Sequence, residues 1–351
     1  MIKLFRKIRQ NLVSEGKTGK YFKYAIGEII LVVIGILIAV QINNSSQQNT
    51  NRKQVETILR SIFYSLESDM ANPINSYLGF CDFKDSLNSL VLNKTLTFQQ
   101  YESTGKGFRS LSRLLNYEFE PFQFEDQAYK RMMANIEIIP EQYMSIIEML
   151  QDVYGKEVLV VNDVAIDLKN FVDEIDDKYQ NNYEWYSDTD SLHFEQRINY
   201  LLNSPDHLND VRRHQEIINH LKTHLQALKM KASIAYSKIH QELMPLEPFS
   251  EIANRTYFPN AEELAEYVGL YEPEEGIGDP LKLAAKKYYL TEINAGIKLM
   301  KSSVDKFVPS SRPETHYMKF DRNAKGQVNA MTIVMINSVG EKRSIQYKKM
   351  N

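Results

Sequence analysis

The chain has 351 residues, room for two or three domains, with 42 Lys plus Arg against 45 Asp plus Glu and a net charge of −3. At 43% apolar and 25% charged residues, it is not a wholly disordered chain, a collagen-like repeat or a multi-spanning transporter. The near-neutral total argues against a dedicated nucleic-acid binder, and the single cysteine, Cys81, excludes an intramolecular disulfide.

The balance hides an asymmetry. Residues 1–23 carry Lys3, Arg6, Lys7, Arg9, Lys17, Lys20 and Lys23 against one acid, Glu15, a net charge of +6 that leaves −9 for the remainder. Residues 24–42, from Tyr24 and Ala25 to Ile42, follow as an apolar run with one charge, Glu28. As a helix this run spans roughly 28 Å, close to the hydrocarbon thickness. Glu28 lies about one turn from the basic end, where its carboxylate can snorkel to the interface or take up a proton. Tyr21, Phe22 and Tyr24 stand where an aromatic belt belongs. A buried core helix leaves the seven basic residues unexplained. A cleaved signal peptide requires an overlong basic region and a poor cleavage site at Ala39-Val40-Gln41. An uncleaved membrane anchor fits best. The positive flank then puts residues 1–23 in the cytoplasm and residues 43–351 outside it. Gly35 and Ala39, four apart, form a small-xxx-small face through which the anchor can self-associate.

Met1-Ile-Lys-Leu-Phe-Arg-Lys-Ile-Arg-Gln-Asn-Leu12 and the run from Lys20 to Asn44 resemble an uncharacterised family of bacterial single-pass membrane proteins. The resemblance covers about the first 70 residues; Ser45 departs from it, where the family typically has Trp. It implies an anchored protein of a bacterial inner membrane and carries no catalytic residue.

Residues 43–50 read as a polar tether or a solvated extension of the anchor helix. Val55, Ile58, Leu59, Ile62, Phe63, Leu66 and Met70 recur at helical spacing, which predicts a helix over 51–71 that Pro73 stops or kinks. Helical patterns return near 76–92, 97–116, 123–136, 140–178, 190–202 and 206–243, a helical bundle over 51–245. Breaks fall at Asn93-Lys94, Glu120-Pro121, Ile139-Pro140, Asn181-Asn182 and Ser204-Pro205. Ser204-Pro-Asp starts the last helix with an acid at its positive end. No fixed-period repeat supports a solenoid.

Pro248 and Pro259 punctuate a linker over 246–261, just after Pro245. Residues 262–351 then alternate in short segments at 267–271, 296–301, 317–321, 328–336 and 343–348. Turns fall at Asn323-Ala-Lys-Gly326 and Ser338-Val-Gly340. The pattern predicts an antiparallel β-domain large enough for its own core. Phe307 and Tyr271 are its expected core aromatics, and Val328, Ala330, Thr332 and Val334 its expected buried face. Glu266-Tyr-Val-Gly-Leu-Tyr-Glu272, Ser303-Val-Asp-Lys-Phe307 and Met318-Lys-Phe-Asp-Arg-Asn-Ala-Lys-Gly-Gln-Val328 resemble the small lipocalin-like domain of penicillin-binding-protein-like serine hydrolases. There the domain is an accessory module, which implies a barrel here and no chemistry in it.

Serine hydrolases of that kind need Ser-x-x-Lys at a helix start. Ser14–Lys17, Ser103–Lys106 and Ser303–Lys306 match, where about two matches arise from composition alone. The bundle pattern also lacks the strands of a hydrolase fold. His220 and His224, four apart, have a spacing that can share a metal. They lie off the stripe of Val211, Ile218, Leu221, Leu225, Leu228, Ala232, Ala235 and Ile239, so a solvated face is expected. His214 lies on that stripe, as a hydrogen-bonded core histidine. Asp163, Asp167, Asp173, Glu174, Asp176 and Asp177 read as a solvated helical face, and Asp188-Thr-Asp190 lacks the glycine and third ligand of a calcium loop. Tyr183, Trp185 and Tyr186 read as a loop packed on the bundle, with stacking on a sugar or peptide the other reading. No P-loop, dinucleotide fingerprint or zinc-finger spacing occurs.

The expected architecture is multidomain α plus β: a single transmembrane helix, an extracytoplasmic helical bundle and a C-terminal antiparallel β-barrel-like domain. No catalytic, cofactor or metal residue is assigned. The expected role is non-enzymatic binding of an unknown small molecule or protein at the lipid bilayer. A structural envelope scaffold is the alternative, and a cryptic serine hydrolase the third reading.

Overall fold

The computed structural model describes residues 18–95, 97, 122–186, 191–274, 276, 278–310, 316–336 and 341–350, with backbone alone for 18–25 and 191–194. Residues 1–57 with 135–142 form one compact unit, and residues 58–134 with 143–351 a second. The basic block over 1–17, the expected helix near 97–116 and the Ser338-Val-Gly340 turn lie outside the described residues, residue 97 apart.

Helix α1, Thr18–Asp69, is one unbroken element of 52 residues. Its most apolar 18-residue window has a mean hydropathy of 2.3, with none of it buried, and Leu31 is 68% exposed. A core helix would be covered by protein, so the buried-helix reading of residues 24–42 does not hold. By length and composition this helix can cross a membrane. Residues 43–50 are helical and exposed, the solvated extension of the anchor helix rather than the tether. The polar side chains bond along the axis: Gln47 Nε2 donates to Asn51 Oδ1 at 2.9 Å and Thr50 Oγ1 to the Ser46 carbonyl at 3.0 Å. Extending a helix through eight polar residues costs less than nucleating a second one. In the first unit, Gln54 Nε2 also donates to Asn135 Oδ1 at 3.2 Å, beside a 3₁₀ turn at Ile136–Ile138.

In the second unit, Pro73 neither stops the chain nor leaves a gap. A π-helical turn, Met70–Ile74, absorbs it, and α2, Asn75–Leu92, continues beyond. A wider turn accommodates a residue that has no N–H for the i−4 carbonyl. Helix α3 covers only Gln127–Met133 of the expected 123–136. Helix α4, Met144–Asp152, a second π-turn, Val153–Glu157, and α5, Val158–Asn182, occupy the expected 140–178. Helix α6, Ser191–Asn203, leads into α7, Pro205–Leu243. Ser204 caps α7 by accepting from the His207 N–H, with Pro205 in the first turn. Helix α7 packs against α2, α4 and α5. Ile218, Leu221, Leu225, Leu228 and Ala232 are fully buried, and Tyr236 stacks on Phe63 with ring centroids 4.2 Å apart.

The expected linker is tied down. The backbone N–H groups of Asn254 and Thr256 donate to Ser233 Oγ at 3.1 Å and Ser237 Oγ at 3.2 Å on α7. After the short α8, Ala261–Ala265, eight strands follow: β1 Gly269–Pro273, β2 Leu281–Lys286, β3 Tyr289–Glu292, β4 Lys298–Ser303, β5 Lys306–Pro309, β6 His316–Arg322, β7 Val328–Ile336 and β8 Lys342–Lys349. Each pairs antiparallel with the next and β8 pairs with β1, which closes a barrel and leaves no edge. Gly269, at φ +154°, admits Lys349, whose Cε would lie 2.8 Å from an added Cβ.

Phe307 and Tyr271 are fully buried in the barrel core with Tyr267, Phe320, Met331 and Tyr347. The expected buried face of β7 is out of phase in its middle. Val328 and Val334 are buried as expected, but Ala330 and Thr332 are only half-buried, and Met331 with partly buried Ile333 takes their place in the barrel core. The cause is an irregularity: Asp321 faces Ala330, but Arg322 faces Val328. One residue is skipped, and every side chain beyond it changes face. Arg322 also closes this end of the barrel, with 2.7 Å bonds to both Glu266 oxygens and to Asp305 Oδ1.

Candidate functional site

Within the second unit a cleft of about 440 Å³ opens between bundle and barrel, inside the size range of small-molecule sites. Met149 and Asp152 of α4, Lys156 of the second π-turn, and Lys231 and Ile234 of α7 form one wall. Tyr288, Tyr289, Lys298 and Met300, with the β3–β4 turn at Ala295 and Gly296, form the other. The π-turn sets the first wall. One extra residue in the turn offsets the face register, so Tyr154 and Glu157 are buried while Lys156 reaches the cleft. The second wall is held by Glu292, itself 2% exposed. Its carboxylate accepts from the Asn294 N–H at 3.0 Å and the Ala295 N–H at 2.5 Å. Gly296, at φ +67°, completes the turn. Two ion pairs join the walls, Lys287 to Glu148 at 2.6 Å and Lys298 to Asp152 at 3.4 Å.

The cleft is cationic. Asp152 also pairs with Lys156 at 2.5 Å. Burial pushes the Asp152 carboxyl upward, but the Lys156 hydrogen bond and the Lys298 charge prevail and hold it below its ordinary value. Lys231 pairs with Glu157. Three ammonium groups therefore share two carboxylates. Burial pushes the Tyr288 phenol up, so it stays a neutral, largely apolar wall.

The expected site residues fare differently. His214 is a core histidine as expected: its Nδ1 lies 3.1 Å from Asn88 Oδ1, and burial holds its pKa down at about 3. His207, which sequence reasoning left unassigned, packs likewise: its Nδ1 lies 3.1 Å from the Tyr179 hydroxyl, and burial lowers its pKa to about 4. His220 and His224 are not both solvated, a correction of the expected face. Their Nε2 atoms lie 3.1 Å apart, and His224 Nδ1 lies 2.8 Å from Glu157 Oε1. The spacing of the two histidines is visible in the sequence; Glu157, 67 residues away, is not.

Tyr183 and Trp185 stack on each other at 4.9 Å and lie tilted against Tyr200 at 4.6 and 5.3 Å, with Trp185 only 6% exposed. Among the described residues they pack against the end of the bundle, with Tyr183 and Tyr186 part-exposed. The acidic row is a helical face: Asp173 pairs with Lys169, Glu174 with Arg213 at 2.9 Å, and Asp176 accepts from the Tyr186 hydroxyl at 2.6 Å. Cys81 is a buried thiol, pushed up to about 12 by burial. Ser303 and Lys306 flank the β4–β5 turn, not a helix start. Ser14–Lys17, Ser103–Lys106 and Asp188-Thr-Asp190 lie outside the described residues. The side chains of Tyr24 and Ala25 do too. Glu28 is part-exposed, and Gly35, Ala39 and Ile42 are exposed along α1.

No protein-family model, curated protein or solved structure matches the chain. Both resemblances therefore rest on the residues quoted for them.

Proposed function

We propose that the chain is a single-pass, membrane-anchored binding protein of the bacterial inner membrane, non-enzymatic, which takes a small organic anion in the cleft between bundle and barrel. The cleft carries the reading: Lys156, Lys231 and Lys298 supply charge around the apolar and aromatic walls of Met149, Ile234, Tyr288 and Tyr289. Such a site favours an acidic group on a flat apolar body, the ammonium groups meeting the anion and the rings the body. The exposed apolar stretch of α1 supports the anchor, and the basic flank supports a cytoplasmic residue 1 with residues 43–351 outside. Gly35 and Ala39 offer the anchor a face for self-association.

A thermal-shift series on the full chain in mild detergent tests the site, with benzoate, phenyl phosphate and the neutral control benzamide. The expected result is a rise in melting temperature with the two anions, absent with benzamide and lost in Lys298→Glu. No shift with either anion, or an equal shift with benzamide, contradicts the reading. A reporter fused after Asn351 tests orientation: activity only as a cytoplasmic fusion overturns it.

A further inference from the structure

We propose that His220 and His224 form a binding site for a divalent late transition-metal cation, oriented by Glu157 from the neighbouring π-turn. The pair stands on the surface of α7, with His220 exposed and His224 partly covered. Glu157 is 6% exposed, so its carboxylate is fixed. It lies 2.8 Å from His224 Nδ1, an atom that in neutral imidazole must then carry the proton. The His224 lone pair is thereby placed on Nε2. That atom faces His220 Nε2 at 3.1 Å.

Two ring nitrogens at this separation are spaced as ligands of one cation. With metal–nitrogen bonds of about 2.05 Å, a separation of 3.1 Å subtends an angle of about 100° at the metal, between the square-planar and tetrahedral values. A carboxylate on the far nitrogen of a metal-ligating histidine fixes the ring and raises its basicity. Glu157 stands in that position. Its other oxygen is held by Lys231, so the carboxylate cannot swing away without breaking a second contact.

Imidazole donors suit zinc, copper and nickel and do not suit magnesium or calcium. Among the described residues no three metal-ligating side chains gather. Two histidines are thus the ligands the described residues supply, and water completes the coordination. The site adjoins the cleft through Glu157 and Lys231, since Lys231 lines the cleft wall.

Calorimetric titration of the chelator-treated full chain in mild detergent with Zn(II) alone tests the site, with Mg(II) as the hard-cation control. The expected result is one Zn(II) per chain and no Mg(II) heat. His220→Ala lowers zinc affinity at least tenfold while leaving the metal-free melting temperature unchanged, because His220 is exposed. Glu157→Gln, which retains a hydrogen-bond acceptor, weakens zinc by about tenfold, the usual scale for an outer-sphere carboxylate. Zinc binding at wild-type affinity in His220→Ala overturns the proposal, as does the absence of zinc heat in the wild type or an equal response to Mg(II).

Discussion

The barrel closes around Tyr267, Tyr271, Phe307, Phe320 and Tyr347, an interior with almost no charge. The bundle instead buries Asp69, Lys84, Asn88, Glu157, His207 and His214 among its aliphatic residues. An apolar interior tolerates neighbours of roughly the right volume, whereas a buried polar group demands one partner in one place. The barrel is a rigid wall that adds Lys298 to the cleft, and the bundle supplies Lys156 and Lys231 there and the histidine pair of the second proposed site. The buried glutamate of the barrel, Glu292, serves the chain's own turn. Glu157 in the bundle turns one oxygen to His224 and the other to Lys231.

The largest expected effect is in the barrel. Phe307, fully buried, packs edge-on against Tyr267 at 4.9 Å and Phe320 at 5.5 Å. Phe307→Ala should cost about 3–5 kcal/mol in denaturant unfolding. A loss below about 1 kcal/mol would show that the barrel interior relaxes around the gap and is not the rigid wall described.

The bundle should differ in its response to pH. Burial pushes the Asp69 carboxyl up to about 7, although the Glu125 backbone N–H bonds it. Its second oxygen has no partner among the described residues. Stability from this group is complete below the ordinary carboxylate range and is lost as pH rises through about 7. His207 and His214 act in the opposite sense. Held down near 4 and 3 by burial, they give stability that is present above the ordinary imidazole value and lost as pH falls through the acid range. Melting curves between pH 4 and 9 should therefore show a maximum on the acid side of neutrality. Asp69→Asn should remove the alkaline decline, about 1–2 kcal/mol, and leave the acid limb in place. An unchanged alkaline limb would assign that decline to another group.

The smallest effect belongs to the exposed face of α5. Lys169→Ala breaks the pair with Asp173, in which both side chains are about half exposed. It should change stability by less than about 0.5 kcal/mol at 0.15 M salt. A larger loss would mean that this face is covered in the intact protein.

What was legible in the sequence follows from range. The bounds of β7 and the Ser204 cap rest on residues within a few positions of each other, and both stand as read. Strands β2, β3 and β5 went unseen because they are short and, apart from Thr291 and Val308, carry no β-branched residue to mark a strand. The phase in the middle of β7 escapes the sequence because the skipped residue opposite Arg322 belongs to the pairing of two strands. Pro73 announced a disturbance but not its form, since a π-turn depends on what packs around it. The cleft was invisible: Lys156, Lys231 and Lys298 come from a π-turn, a long helix and a strand, and only the packing of bundle on barrel makes them neighbours.

That packing is tested most directly by hydrogen exchange on the full chain in detergent, with and without saturating phenyl phosphate. The account predicts slower exchange in residues 144–157 and 289–300 together, because one ligand touches both walls. Protection of one wall alone, or of neither, would contradict a binding site built jointly by bundle and barrel.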